Sequence, residues 1–303
     1  MTIEKPPIAI SLNFDSISEA FGFPDGFDDP SFFDAFDRFE RMVLDNNMKL
    51  TIYIIGRDLH NKNVFDRVRE WAGNGHEIGN HSYSHLMSLG AVDAKLMSDE
   101  ILKSHDLISK AAQYEPKGFI SPAWSSSKNL WQLLIKLGYD YDTSCFPSLF
   151  LYPMIFKMWL NHSGSAKKQK EILNRSDWYF PFSIPKEPFF VGADGKISTP
   201  HFEKSMLVLP LPTTNRLLPC YWHTLGFMFG WKASNTYLKQ ILSTSNMFYL
   251  LLHPADFTSM QDITIRKEHY LARMNYSLED KLSAIRDSLS IIKASGRETI
   301  QMR

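Results

Sequence analysis

Apolar runs of strand length alternate with amphipathic helical segments along the first half of the chain, and this alternation constrains the fold most. Residues 8–14 carry apolar side chains at every second position, which is typical of a strand. Residues 50–55 form a mostly apolar run closed by Gly56, which indicates a fully buried strand. The pattern continues with a helix at residues 64–72, a short strand at 76–79, a helix at 94–112 and a short strand at 118–121. Strands that alternate with helices predict a parallel sheet.

The second half is less regular. Prolines at positions 181, 185, 188, 200, 210, 212 and 219 predict short strands and loops there. The regular pattern returns with a buried strand at residues 248–252 and a final amphipathic helix that begins after Ser277. We find no internal repeat and no linker composition, so we predict an α/β fold with one domain over residues 1–303. Irregular, Pro-rich insertions are expected around residues 145–245.

Composition and charge exclude some functions. Of the 303 residues, 44% are hydrophobic and 22% are charged, which is typical of a folded globular chain and excludes general disorder. Lys plus Arg number 33 and Asp plus Glu number 33, so the formal net charge is zero. A neutral chain has no global attraction to nucleic acid, and we expect no nucleic-acid partner.

The sequence also suggests where the protein works. Cys145 and Cys220 do not form a CxxC pair, which suits a reducing compartment, and the first 15 residues lack the pattern of a signal peptide. We therefore predict a cytoplasmic location. The stretch 149–160 is unusually apolar for a region between regular elements. It is either a buried connection or a surface for peripheral membrane contact or for a lipid-linked substrate.

Polar residues stand at or just past the predicted carboxyl ends of several strands: Asp15, His81 with His85, the Ser121-Pro122 corner, and His253. In a parallel barrel these ends share one face, where such folds place their active sites. Two imidazoles four residues apart, beside an acid and a further histidine, predict a metal-assisted hydrolase.

That chemistry needs a carboxylate to take a proton from water and a second group to give one to the leaving group. Asp15 and His253 fit these roles. Both residues also have structural interpretations, since an aspartate after a strand is often a turn or cap residue and a buried histidine is often only hydrogen-bonded.

These segments resemble the polysaccharide deacetylase family, carbohydrate esterase family 4, over roughly Ile8 to Phe257. The stretch GHEIGNHSYSH is similar to the family's HSxxH metal motif and is the most specific match. The other similar stretches are IAISLNFDS, LTIYIIG, GFISPAWS, LIKLGYDYDTS and FYLLLHPADF. The resemblance covers most of the chain and keeps the family's motif order.

The resemblance implies a distorted (β/α)7 barrel that removes N- or O-acetyl groups from sugars, usually with zinc or a similar divalent metal. Carried over by position, it makes Asp15 the base, His253 the acid, and His81 and His85 the metal ligands. It also makes the backbone amide of Ala123 an oxyanion donor.

Two positions depart from the family pattern. Ser16 stands where the family has its third metal ligand, an aspartate, and a serine oxygen is a weaker ligand. Ile120 replaces the arginine that pairs with the catalytic aspartate, so we expect Asp15 to have a raised pKa or a poor orientation. If Asp15 were itself the third ligand, another base would be needed, and Asp142 and Glu77 are the candidates.

Three functional hypotheses follow. The first is a deacetylase of an acetylated amino sugar in surface-glycan biosynthesis, with the sugar free or carried on a nucleotide or a lipid. The second is a hydrolase of a non-sugar amide, such as a cyclic amide, with or without metal, and the third is a sugar-binding relative without activity. Trp124, Trp222 and His223 are possible substrate contacts, although tryptophan beside a strand end is also typical of a core. The sequence does not predict the oligomeric state.

Overall fold

The computed structural model of the chain describes residues 6–23, 27–161, 164–175, 183–198, 201–202, 204–263 and 273–302. The strands in this part are β1 (Ile8–Asn13), β2 (Leu50–Ile54), β3 (Glu77–Asn80), β4 (Gly118–Phe119), β5 (Tyr141–Asp142), β6 (Phe189–Gly192), β7 (Ile197–Ser198), β8 (Ser205–Val208), β9 (Phe248–Leu252) and β10 (Thr299–Ile300). The helices are α1 (Ile17–Phe21), α2 (Asp34–Leu44), α3 (Lys62–Gly73), α4 (Ala94–Ala112), α5 (Lys128–Lys136), α6 (Leu151–Asn161), α7 (Ala166–Leu173), α8 (Leu225–Phe229), α9 (Trp231–Thr244) and α10 (Leu278–Ala294).

Seven strands follow one another in parallel in the order β9-β1-β2-β3-β4-β5-β8, and the short strand β10 also pairs in parallel with the start of β1. This confirms the predicted α/β class and the distorted (β/α)7 barrel. Within the described residues β8 and β9 are not hydrogen-bonded to each other, but Tyr249 of β9 donates to the carbonyl of Leu209, just after β8, at 3.4 Å. The barrel is therefore open between these two strands. Strands β6 and β7 add an antiparallel extension to β8.

The buried strands explain why the first half was predictable. Every residue of β1 and of β2 is buried, as expected for parallel strands that are covered on both faces. Helix α2 packs Phe36 and Phe39 into the core, and α3 packs Val68 and Trp71 there. These are the helical stripes that the sequence shows.

The second half is more helical than we predicted. The expectation of short strands and loops holds for β6 to β8, but α6, α7 and α9 occupy much of the remainder. The apolar stretch 149–160 forms most of α6, whose Leu151 and Ile155 are buried while Phe156 keeps 60% of its surface exposed. Among the described residues no helix has the length and apolar character needed to cross a bilayer. The single-domain organisation stays a prediction.

Candidate functional site

The predicted site residues follow three strands, β9, β1 and β3, that lie close together in the barrel with β2 between the last two. Asp15 comes two residues after β1, His81 directly follows β3, and His253 directly follows β9. Because these strands are parallel, their carboxyl ends open on the same face. His85 joins the group through the turn after His81, where its backbone has a φ of 58°. The structure thus brings together the four side chains that the sequence singled out.

Both histidines of the HSxxH segment point at one oxygen. His81 Nε2 lies 3.1 Å from Asp15 Oδ1, and His85 Nε2 lies 3.3 Å from the same atom. The other ring nitrogens are engaged: His81 Nδ1 donates to the carbonyl of Ile120 at 2.7 Å, and His85 Nδ1 donates to Glu19 Oε1 at 3.0 Å. When both rings are neutral, each Nε2 lone pair faces a carboxylate oxygen, and either a bound cation or a second proton on the ring removes that repulsion.

The donor set fits a divalent metal ion. One ligand atom from each of Asp15, His81 and His85 lies within 4.8 Å of the others, and no second group of three such residues occurs in the described part of the chain. Two imidazoles and one carboxylate are a common protein set for zinc and related ions. Hydrogen bonds at the Nδ1 atoms fix both rings, as is usual for metal-bound histidines.

Ser16 lies outside this donor set and has a structural task. Its Oγ accepts a hydrogen bond from the backbone N–H of Glu19 at 3.2 Å, which makes it the N-cap of α1. The third candidate ligand atom beside the two histidine nitrogens is therefore a carboxylate oxygen of Asp15.

The expected rise in the pKa of Asp15 is not found. Burial acts to raise the pKa of this carboxyl, but the charge and hydrogen bonds of His85 and His81 outweigh it and hold the pKa well below its usual range. Ile120 brings no charge to replace the family's arginine, and its carbonyl instead orients His81. Asp15 is therefore ionised and fixed in place without an arginine partner.

His253 faces the other oxygen of Asp15. Its Nε2 lies 3.9 Å from Asp15 Oδ2, and its backbone N–H donates to Asp256 Oδ2 at 2.9 Å. Asp256 is itself held by Arg273 at 2.8 Å. Burial lowers the pKa of the His253 imidazole, so the ring is neutral near pH 7.

The structure does not bring Asp142 or Glu77 to the site. Asp142 is fully buried, accepts hydrogen bonds from Trp131 Nε1 at 2.9 Å and from Ser144 Oγ, and has its pKa raised by burial to about 6. Glu77 begins β3, at the opposite end of the strand from His81, and it accepts from Tyr141 at 2.8 Å. Both carboxyl groups serve hydrogen-bond networks in the core.

A cleft of about 560 Å³ opens above the four site residues. Ala123, the candidate oxyanion donor, lines it together with Trp124 and Trp222, the candidate substrate contacts. Ala123 and Trp124 have φ values of 50° and 51°, a left-handed backbone that non-glycine residues rarely adopt. Such strain is often found at functional sites, and the oxyanion role of Ala123 stays a prediction.

His223 does not line the cleft. Its side chain is fully buried against the Trp231 ring, with centroids 5.0 Å apart, and neither ring nitrogen has a hydrogen-bond partner among the described residues. Burial lowers its pKa to about 4. The predicted substrate contact at this position is therefore not supported, and the ring is a neutral part of the core.

Sequence reasoning missed Glu19. This residue lines the cleft, hydrogen-bonds His85 Nδ1 and pairs with Arg57. The stretch SISE resembles a capping box, a signal that predicts the start of α1. Nothing local could have indicated the bond to His85, which is 66 residues away in sequence.

Comparisons with known proteins find similarity to polysaccharide deacetylases. The family model described as polysaccharide deacetylase matches residues 4–141. The peptidoglycan deacetylase of Helicobacter pylori is 34% identical over 107 residues, which are 35% of this chain and 34% of that protein. The peptidoglycan-N-acetylglucosamine deacetylase of Bacillus cereus is 31% identical over 127 residues, which are 40% of this chain and 42% of that protein. The chain thus matches less than half the length of either curated relative.

A solved structure extends the likeness of the fold to the whole chain. It is that of a candidate polysaccharide deacetylase from Mycobacterium smegmatis, with a TM-score of 0.57 and 16% identity, and the match covers 97% of this chain and 86% of that one. At this identity the match concerns the fold alone. The second half of this chain therefore continues the same architecture beyond the residues that the family model covers.

Proposed function

This chain belongs to the polysaccharide deacetylase family, and from that premise we propose that it is a hydrolase that removes the acetyl group from an acetylated amino sugar. One observation carries the proposal: His81 and His85 meet at one oxygen of Asp15, on the floor of a cleft that His253 also lines. This arrangement joins a metal-binding donor set to two groups that can move protons.

We assign Asp15, His81 and His85 as the residues that would hold a divalent metal ion, with zinc as the candidate. When bound, such an ion would polarise the acetyl carbonyl and make a water molecule more acidic. The only carboxylate in this set comes from Asp15. The family pattern has a second aspartate, but this chain has Ser16 at that position.

The two oxygens of Asp15 suit different tasks. Oδ1 faces the histidine pair, whereas Oδ2 faces His253 Nε2 at 3.9 Å. In the proposed mechanism Oδ2 takes a proton from water as the water oxygen bonds to the acetyl carbon. His253 relays this proton to the sugar nitrogen as the carbon–nitrogen bond breaks, and the products are acetate and a free amine. Because the proton comes from Asp15, His253 does not need to be charged in the free enzyme.

The cleft walls and the relatives support the substrate class. Trp124 and Trp222 border the cleft with 9% and 2% of their surface exposed, so they form an apolar aromatic wall and not open ring faces. The backbone N–H of Ala123 is proposed to bind the developing oxyanion. Both curated relatives carry names of peptidoglycan deacetylases, which supports an acetylated amino sugar of a surface glycan. The cytoplasmic location predicted from the sequence remains a prediction.

The proposal is tested by acetate release from three substrates: oligomers of N-acetylglucosamine, the nucleotide-linked sugar and a lipid-linked acetylated sugar. His253→Gln is expected to lower kcat by about 100-fold or more with a small change in KM, since the residue moves a proton and does not anchor the sugar. His105→Gln, a half-buried histidine of α4, is the matched control and should keep full activity.

Two results would contradict the proposal. Sugar binding without acetate release from any substrate would indicate a sugar-binding protein that has lost the reaction. Hydrolysis of a cyclic amide, with no release of acetate from sugars, would indicate the second hypothesis of a non-sugar amide hydrolase.

A further inference from the structure

The mouth of the cleft is bordered by segments that expose large apolar side chains to solvent. We call these residues the apolar rim: Phe156 (60% exposed) and Leu160 (48%) on α6, Leu173 (51%) on α7, Leu217 (72%) and Leu218 (41%) on the loop between β8 and α8, and Phe229 (51%) on α8. Six of the twelve large apolar side chains that are exposed in the described part of the chain belong to the rim. Single exposed apolar residues are ordinary, but such a concentration indicates an interaction surface.

Contacts between these segments make the rim one continuous surface. The backbone N–H of Leu149 donates to the carbonyl of Arg216 at 2.8 Å, and Ser148 Oγ donates to the carbonyl of Leu218, which joins the loop to the start of α6. The Phe150 and Phe229 rings lie 6.0 Å apart. These contacts tie α6, α8 and the loop together beside the site.

Helix α6 divides its side chains among three environments. Leu151 and Ile155 are buried in the protein, and Met154 and Met158 line the cleft. The remaining apolar face, with Phe156 and Leu160 one turn apart, points to solvent. Helix α6 is therefore apolar on the side that faces the protein and on the side that faces solvent. An apolar partner, such as the interior of a lipid bilayer, would cover the solvent-facing side.

Positive charge accompanies the rim. The two helices carry four lysines and one acidic residue, Glu171. The lysines are Lys157 on α6 and Lys167, Lys168 and Lys170 on α7. Among the described residues no carboxylate lies within 4.0 Å of these four lysine amines. Because the whole chain is neutral, this is a local concentration of charge that suits an anionic surface.

We propose that the apolar rim docks on a bilayer that contains anionic lipid. The apolar side chains of α6 and the loop enter the interface, and the lysines of α7 contact the headgroups. The mouth of the cleft then faces the membrane, so the substrate would be an acetylated sugar carried on a lipid, an extension that rests on the proposed function. A two-fold contact with a second copy fits less well, since it would place like-charged lysines close together.

The test is co-sedimentation of the full chain with vesicles of phosphatidylcholine, with and without phosphatidylglycerol. We expect binding to the anionic vesicles that high salt weakens. Phe156→Ser combined with Leu160→Ser should weaken this binding by about tenfold or more. The matched control is Leu96→Ser with Leu102→Ser on α4, which are 41% and 38% exposed and lie away from the rim, and it should bind like the wild type.

The charge contribution has its own variant. Lys167→Gln with Lys170→Gln should weaken binding to the anionic vesicles by about fivefold per lysine and leave any binding to neutral vesicles unchanged. Neither lysine lines the cleft, so acetate release from a soluble sugar should persist in this variant and in the Phe156 and Leu160 variant. Docking and catalysis are therefore tested separately.

Three results would overturn the docking proposal. The first is absence of binding to anionic vesicles. The second is equal weakening by the α4 control. The third is concentration-dependent dimerisation that the Phe156 and Leu160 variant abolishes, which would show that a second copy covers the rim. Loss of acetate release with vesicle binding intact would instead count against the proposed function.

Discussion

Glu19 lies outside the proposed donor set but contacts one of its histidines, so we expect it to affect the strength of the proposed metal site. Its carboxylate accepts from His85 Nδ1 at 3.0 Å and pairs with Arg57, so it holds the ring in one tautomer and one orientation. Glu19→Ala is expected to weaken zinc binding by about tenfold, whereas Glu19→Gln, which keeps an acceptor, should recover part of it.

Zinc titration of the metal-free protein measures this effect. Glu115→Gln, on an exposed carboxylate remote from the site, is the control and should bind zinc like the wild type. Unchanged affinity in Glu19→Ala would mean that the bond to His85 has no part in metal binding.

His253 links catalysis to pH through its lowered pKa. Burial disfavours the imidazolium, so the pKa of the ring lies below the ordinary histidine value of 6.5. Because the proposed relay needs a neutral ring to accept the proton from Asp15, kcat/KM should be flat near neutral pH. It should fall at acid pH with a midpoint below 6.5. A pH profile of acetate release with a midpoint above 6.5 would contradict this role.

His223 is expected to make the fold sensitive to acid. Its pKa of about 4 in the folded chain lies below the ordinary 6.5, so the unfolded chain binds more protons between these values. Stability should therefore be constant above pH 6.5 and decline as the pH falls towards 4, by roughly 3 kcal/mol in total.

His223→Phe tests that expectation. Phenylalanine fills the aromatic surroundings of Trp231 without an unpaired buried nitrogen, so it should raise the free energy of unfolding by about 1 kcal/mol or more. It should also flatten the acid side of the stability curve in urea unfolding. The exposed His60 provides a control variant, His60→Phe, which should leave the curve unchanged.

At the scale of elements, the short helix α1 connects the cap at Ser16 to the site. Ser16→Ala removes the side-chain acceptor of the cap and should cost about 1 kcal/mol of stability.

Ser16→Asp keeps a good cap and adds a carboxylate. Because Asp15 is the proposed source of the third ligand oxygen, we expect no sharp gain in zinc affinity. An increase of more than about tenfold in the Ser16→Asp variant would show that the site lacks a ligand at this position.

Elements with clear periodicity were predicted well, and the failures have physical reasons. The long apolar stripe over roughly residues 94–112 predicts a helix that matches α4, and the structure adds Asp93 as its N-cap. Helix α6 is so uniformly apolar that it shows no polar face, and Pro153 lies in its first turn, where proline is tolerated. Helix α9 does carry Leu238 and Ile241 at helical spacing, but the prolines before it led to a prediction of loops.

At the scale of the whole molecule, local motifs predicted which strand ends meet but not every contact at the site. Asp15 and the histidine pair follow from the strand pattern and the HSxxH segment. The bond from Glu19 to His85 depends on how α1 packs against the turn after β3, which no local pattern encodes. Glu77 could have been set aside from strand direction alone, whereas the burial of Asp142 needed the structure.

The central claim is that Asp15, His81 and His85 form a metal centre that supports deacetylation. The most direct test strips the protein with a chelator and follows acetate release from an N-acetylated amino sugar as zinc is added back. We predict that activity rises linearly to a break at one zinc per chain and is absent in a variant with His81→Ala and His85→Ala. Acetate release that survives chelation, or that persists in the double variant, would contradict the account.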